Sequence, residues 1–399
     1  MKLAVVVEKL WPEGGGAELA TSLLLREIIS MGVDVVVYTG TKRPLWLPEN
    51  SVRYLPVLNV GHGGPKTLAK LYSNLFRHGK FFEKALKDVD VVYVPHVSYP
   101  VIPLAKRLKK KVVVHLHDSR PASQAPLLSY GEAMNEMKRT FIYVKESYGV
   151  PTALIASIAA PILTRIMRKW VSMADLVVCV SKRQEELITK FVPELRDKTA
   201  VVYNILLDLP SVERRLSDTP TFLYKGGDYF HKGFHVLLKA LERLCNENIR
   251  VVLTNRYRER SVMAVEHIKN RCRLDVEVVG RVEYSKILEL HMSSWGVLFP
   301  SIWEEPLPYS VVEAAAMGVL PIASRVGGVP EILEGTPGEL FLVEPNCPHC
   351  IAEKIRDVAQ MDKRELLEIG EKLKQVRQRF DRGNAQKFMK LLESLTHKS

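Results

Sequence analysis

The sequence predicts an α/β protein built from two parallel-sheet domains in tandem, facing each other across a cleft. Three observations carry this. Short apolar runs alternate with helical patterns through most of the 399 residues, as in sheets covered by helices on both faces. A loop-rich, charge-clustered stretch at 204–220 interrupts the alternation near mid-chain. Glycine pairs follow the first apolar run on each side of that break, at 15–16 and 226–227, where open α/β sheets bind their ligands. The expected division is a first domain over 1–203, a linker over 204–220 and a second domain over 221–380. A terminal helix over 381–399 is expected to reach back toward the first domain.

In chain order, the apolar run 3–7 opens the first sheet, as a buried parallel strand does. It leads through Trp11 and the loop Gly14-Gly15-Gly16 into a helical pattern that stops near Gly32, and 35–38 is the next strand. Strands are expected at 52–55, 90–94, 111–116, 175–180 and 200–203. A long basic helix is expected over 65–86, with shorter ones over 101–108 and 182–191. The stretch 147–164 holds 18 uncharged residues followed by Arg165, Arg168 and Lys169. That length just reaches a membrane span, but Pro151, Pro161 and four hydroxyl residues favour a buried or interfacial helix. The second domain continues with strands at 221–224, 249–253, 276–279, 296–300, 319–323 and 338–343. Helices lie between them, and three more helical patterns close the chain.

Composition bounds the function. At 47% hydrophobic and 26% charged, the chain is an ordinary globular protein. Five scattered cysteines are too few for a disulfide framework and point to a reducing compartment. Met1 and Lys2 precede only a short apolar run before Glu8, so no signal peptide is expected. The net charge of +12 is lopsided: residues 1–200 carry 29 Lys and Arg against 18 Asp and Glu, and residues 201–399 carry 28 against 27. A basic first half fits nucleic acid, anionic headgroups or a phosphorylated acceptor. No recognition motif supports nucleic acid, so none is expected. The basic helices and the uncharged stretch make peripheral membrane contact the working expectation.

The densest stretch is 296–331. Two buried strands flank a loop and a short helix, and Glu305 and Glu313 bracket them with seven residues between. Carboxylates, free amides at a helix start and Gly327-Gly328 all gather at strand ends, where an anionic ligand is held. Lys232 ends the loop after 221–224, where an ammonium reaches a phosphate. Neither glycine loop has the spacing of a dinucleotide fingerprint or a P-loop. His115 and His117 share a face of their strand. With no third ligand evident nearby, metal is disfavoured there. Cys347-Pro-His-Cys350 has too few ligands for a structural zinc site, and a surface turn is expected.

These motifs resemble the GT-B glycosyltransferases of the large retaining family 4. The likeness rests on Gly15-Gly16-Ala17-Glu18, His117-Asp118, Gly226, Lys232-Gly233, Glu305, Glu313-Ala314, Gly318 and Gly327-Gly328-Val329-Pro330-Glu331. It implies two Rossmann-like domains, with the acceptor on the first and a nucleotide sugar on the second. By that resemblance the donor site comprises Gly15, Gly16, Gly226, Gly227, Lys232, Arg281, Val282, Glu305, Tyr309, Ser310 and Glu313. Glu313 would accept from the ribose, Glu305 would face the sugar and Lys232 would stabilise the departing diphosphate. The amides of Tyr309 and Ser310 would meet the phosphate, Arg281 and Val282 would lie beside the base, and His117 would touch the sugar. Glu305, Lys232 and His117 would form the catalytic set, with no metal and no cofactor, the nucleotide sugar being substrate. The expected activity is transfer of a hexose from a UDP- or GDP-sugar to a glycan or lipid-linked acceptor. The expected place is the cytoplasm, peripheral to the inner membrane face. The alternatives are a nucleotide-sugar-binding protein without turnover and a GT-B epimerase. Two departures stand out. Gly227 replaces the family's arginine, for which Lys225 or an arginine among 256–260 would substitute. Pro306-Leu307-Pro308 replaces Gly-Phe-Gly, and Pro308 lacks an amide proton.

Overall fold

The computed structural model describes residues 1–61, 65–209 and 213–396; residues 210–212 of the expected linker lie outside that set. The first sheet has seven parallel strands: β1 Lys2–Val7, β2 Asp34–Thr39, β3 Val52–Tyr54, β4 Val91–Pro95, β5 Lys111–Leu116, β6 Leu176–Cys179 and β7 Thr199–Val201. Their order is β3-β2-β1-β4-β5-β6-β7. The second has six: β8 Thr221–Tyr224, β9 Arg250–Thr254, β10 Asp275–Gly280, β11 Gly296–Phe299, β12 Leu320–Ser324 and β13 Leu342–Val343. Their order, β10-β9-β8-β11-β12-β13, repeats the first. Each sheet reverses direction beside its first strand, and a crevice opens there at the strands' carboxyl ends. This is the two-domain Rossmann-like GT-B architecture.

The central strands are apolar throughout because helices cover both faces. Every residue of β4, β8, β11 and β12 is buried. The helix Gly383–Thr396 belongs to the first domain's core. Its Ala385, Phe388 and Leu392 are buried there, with the Phe388 ring 5.2 Å from that of Tyr93.

Several elements differ from expectation. The basic stretch 65–86 is two helices, Pro65–Arg77 and Gly79–Ala85. His78, at φ −101° and ψ 21°, is the break, and Gly79 begins the second helix. The apolar stretch 338–343 is mostly a 3-10 turn, Pro337–Phe341, which leaves β13 two residues long. Its opening proline and glycine favour a turn over a strand.

The cysteine reading is corrected. Cys245 pairs with Cys272, and Cys347 with Cys350. The first pair is invisible to spacing because it joins residues 27 apart, one of them ending the helix Glu259–Cys272. Cys347 caps the helix Pro348–Ala359, its sulfur accepting from the Cys350 amide.

Candidate active site

Two loops leave the crevice of the second sheet. The loop after β8 carries Lys225, Gly226, Gly227 and Lys232, and the loop after β11 carries Glu305 and leads to the helix Tyr309–Ala316. The Lys232 ammonium donates to both Glu305 oxygens, at 2.6 and 2.5 Å, and lies 4.9 Å from the Trp303 ring centroid. Glu313, buried on the inner face of its helix, accepts from Lys225 at 2.8 Å and from the Tyr284 hydroxyl at 2.9 Å. Burial, then the Glu313 charge, push the Tyr284 phenol up, so it stays a donor. The crevice thus holds two lysine–carboxylate pairs.

Glycine is required where these loops cross. Gly233 has φ +74°, and a Cβ there would lie 1.8 Å from the Pro300 carbonyl oxygen. Gly327 has φ +51°, and its Cβ would lie 1.8 Å from the Glu305 carbonyl oxygen. Only glycine tolerates both the left-handed backbone and the contact. Gly226 packs on the Tyr224 hydroxyl. Gly227, where the resemblance implies arginine, also has positive φ. Of the expected substitutes, Lys225 is in the site on Glu313. Arg258 is spent on Asp228, at 2.7 Å.

Tyr309 and Ser310 open their helix, so their amides have no intrahelical acceptor. The Tyr309 side chain is not a site group: it is buried in the first domain's core and donates to the Ile205 carbonyl at 2.6 Å. Arg281 and Val282 follow β10, at the far edge of the sheet. No hydrogen bond or ion pair among the described residues ties Arg281 to the carboxylates. Tyr284, three residues on, reaches Glu313 instead.

From the first domain, Gly15 and Gly16 start the helix Gly16–Ser30, with Glu18 accepting from the Gly15 amide at 2.7 Å. A Cβ on Gly16 would come within 3.2 Å of the Tyr309 ring, so this loop lies directly on the donor-side helix. His117 sits just past β5. Burial, then His115 and His96, hold its imidazole well below the ordinary histidine range, and it stays neutral. It borders a cavity of about 260 Å³ that Glu8, Glu18, His96, Asp118 and Arg120 also line.

Sequence reasoning did not single out four residues that the structure brings to these loops. His96 stands at φ +64° beyond β4. Its Nδ1 is 3.6 Å from Glu8, and its Nε2 is 3.0 Å from the Thr21 hydroxyl, which is itself 3.4 Å from His117. Burial alone would lower the His96 pKa, but the Glu8 hydrogen bond and charge outweigh it and raise it to about 9. Glu8 had a signal, an acid directly after an apolar strand; His96, Thr21 and Tyr284 had none.

Two family profiles match. Glycosyltransferase Family 4 covers residues 14–206, and Glycosyl transferases group 1 covers 209–376. The chain belongs to the group 1, family 4-type GT-B glycosyltransferases. This glycosyltransferase is similar to the gpi3 subunit of phosphatidylinositol N-acetylglucosaminyltransferase from Schizosaccharomyces pombe. The two are 26% identical over 183 residues, 44% of this chain and 40% of that one. It is 23% identical to a component of the Arabidopsis thaliana phosphatidylinositol N-acetylglucosaminyltransferase, over 75% of this chain and 68% of that one. The chain thus spans well under half the length of the first relative. The crystal structure of Anabaena HepE in complex with UDP and glucose superposes with a TM-score of 0.69 at 19% identity, over 99% of this chain and 100% of that one.

Proposed function

We propose that this glycosyltransferase moves a hexose from a UDP- or GDP-sugar to a glycan or lipid-linked acceptor at the cytoplasmic membrane face, with retention and without a metal or other cofactor. The observation that carries the reading is the pair of lysine–carboxylate contacts beside the start of the helix Tyr309–Ala316. The nucleotide-sugar part is supported by Anabaena HepE, crystallised with UDP-glucose. The lipid acceptor is supported by two relatives named for phosphatidylinositol.

In this reading Glu313, held by Lys225 and Tyr284, accepts from the ribose hydroxyls. Glu305 accepts from the sugar hydroxyls and keeps Lys232 aimed. The bond between the anomeric carbon and the diphosphate breaks, and its electron pair leaves with the diphosphate. Lys232 and the amides of Tyr309 and Ser310 stabilise the growing charge, the work that dominates such transition states. The acceptor oxygen bonds to the same face of the anomeric carbon, and its proton passes to a diphosphate oxygen. Retention by double displacement would instead need a carboxylate nucleophile at that carbon. In the proposed geometry Glu305 is engaged by Lys232 and faces hydroxyls.

Incubation with a panel of UDP- and GDP-sugars and a membrane lipid extract tests the proposal. Nucleoside diphosphate should be released, EDTA should leave the rate unchanged, and the product should keep the donor's anomeric configuration. Donor binding without release would overturn it.

A further inference from the structure

The helix Val150–Val171 is built inside out. Its buried face is Ala153, Ser157, Ala160, Thr164, Met167 and Val171, a regular three-and-four spacing of mostly small or hydroxylated residues. Its outer face carries the large apolar side chains: Ile155 is 74% exposed, Ile158 65% and Ile162 62%, with Leu154 and Ile166 beside them. A helix that serves only a soluble core turns its large apolar residues inward. A contiguous exposed apolar stripe marks a surface that meets something.

The inner face is fixed. The helix folds back from Glu136–Tyr148 at Gly149, where φ is +87°. Thr164 donates to Glu136 at 3.1 Å, and Arg168 donates to the carbonyls of Pro121 and Ala122 at 3.2 and 3.0 Å. The helix is one half of a hairpin sealed on the first domain, so it lies on a surface and does not cross one.

Basic residues ring its C-terminal end. Arg165 and Lys169 are exposed on the helix itself. The helix Val101–Arg107, which leads into Lys109, Lys110 and Lys111, packs against it. On the other side the exposed Phe76 lies 5.9 Å from the Trp170 ring and brings Arg77 alongside. An apolar stripe with a cationic margin matches the hydrocarbon boundary and headgroups of an anionic bilayer. A second copy of the chain would set two strongly basic surfaces against each other.

We propose that this hairpin docks the enzyme on an anionic lipid bilayer, the isoleucine stripe entering the acyl boundary and the basic margin meeting the headgroups. The proposal deepens the membrane-face part of the proposed function and rests on it. It also gives that reading an orientation. Arg168 holds the two residues that follow Arg120, and Leu71, from the helix that carries Phe76, lines the same cavity as Arg120 and His117. The cavity of the first domain therefore shares its walls with the docking surface.

Co-sedimentation of the full chain with vesicles is the test. Vesicles of phosphatidylcholine with an equal part of phosphatidylserine should carry the protein down, and phosphatidylcholine alone should carry much less. The variant Ile155→Gln/Ile158→Gln/Ile162→Gln, which keeps helix-forming residues, should lose at least about tenfold in partition. A second variant, Arg165→Glu/Lys169→Glu, should remove most of the preference for phosphatidylserine and leaves the apolar stripe intact. Equal partition of the wild type and both variants would overturn docking. So would a dimer in light scattering that the isoleucine variant dissociates, with no vesicle binding by the wild type. Because no nucleotide sugar is present, failure of the proposed reaction leaves this result standing. Activity on a soluble acceptor without vesicle binding would sink the docking alone.

Discussion

Lys232 and Glu305 come from loops 73 residues apart in sequence and end with their charges 2.5 to 2.6 Å apart. Burial, and then the Lys232 charge, push the pKa of the neighbouring His231 down to about 3. If Lys232 stabilises the departing diphosphate, Lys232→Ala should lower kcat by about 10²–10³, with a smaller change in KM. Stopped-flow or steady-state kinetics with the identified donor will check this. A change confined to KM would place Lys232 in ground-state binding instead. A second prediction concerns Glu8 and His96. His96 is raised from 6.5 to about 9, so its share of stability is full below its unfolded value and is lost as pH rises toward 9. Glu8 is lowered from 4.5, so its share is present above that value and is lost on acidification. Thermal unfolding of wild type against Glu8→Gln should therefore differ most near pH 6 and converge toward pH 9. A flat difference across that range would contradict the pairing. Glu305, Glu313 and Lys232 could be singled out because they stand in the loops and helix that follow buried strands, in the pattern the family resemblance supplied. His96 and Tyr284 were not, since only the strand order brings them to their partners.

Loops that cross closely need glycine for two separable reasons, and a pair of substitutions tells them apart. Gly233 and Gly280 share a left-handed backbone, at φ +74° and +71°. A Cβ on Gly233 would strike the Pro300 carbonyl at 1.8 Å, whereas nothing lies within 4 Å of one on Gly280. Gly280→Ala should cost about 1 kcal/mol, the strain of the conformation alone. Gly233→Ala should cost about 3 kcal/mol, because the loop bearing Lys232 must also move off β11. Denaturant unfolding measures both, and equal losses would refute the close-crossing account. Strands of four or more buried residues were readable because both faces are apolar. The bounds of β13, two residues after a proline-led turn, were not, nor was the break at His78, which no proline marks. The helix Val150–Val171 was visible as an uncharged run. Which of its faces is buried depends on the helix Glu136–Tyr148 packing on it, so the sequence left the buried and interfacial readings open.

The two sheets are joined by more than a linker. Glu331, the last residue of the Gly-Gly-Val-Pro-Glu run, accepts from the backbone amides of Lys182 and Arg183 at 2.9 and 2.8 Å. It thereby caps, from the second domain, a helix that belongs to the first. Arg183 reaches back to Glu304 at 3.2 Å, and Glu304 in turn accepts from the Gly327 amide at 2.8 Å. Leu128 and Trp303 form an antiparallel bridge beside them. These contacts fix how the loop bearing Glu305 faces the first domain. Those between the domains were not readable from spacing, because each joins residues more than a hundred positions apart. The two-domain outline, by contrast, was written in the alternation of strands and helices. A carboxylate at a helix start is worth about 0.5–2 kcal/mol, and here that energy lies across the domain interface. Glu331→Ala should therefore do more than lower the melting temperature. With the cap gone, the domains should uncouple, and calorimetry should resolve a broadened or double transition where the wild type shows one. KM for the donor should rise, since the sheets would have to be brought together at binding. A variant that melts lower in one sharp transition, with KM unchanged, would assign Glu331 to the stability of its own domain alone.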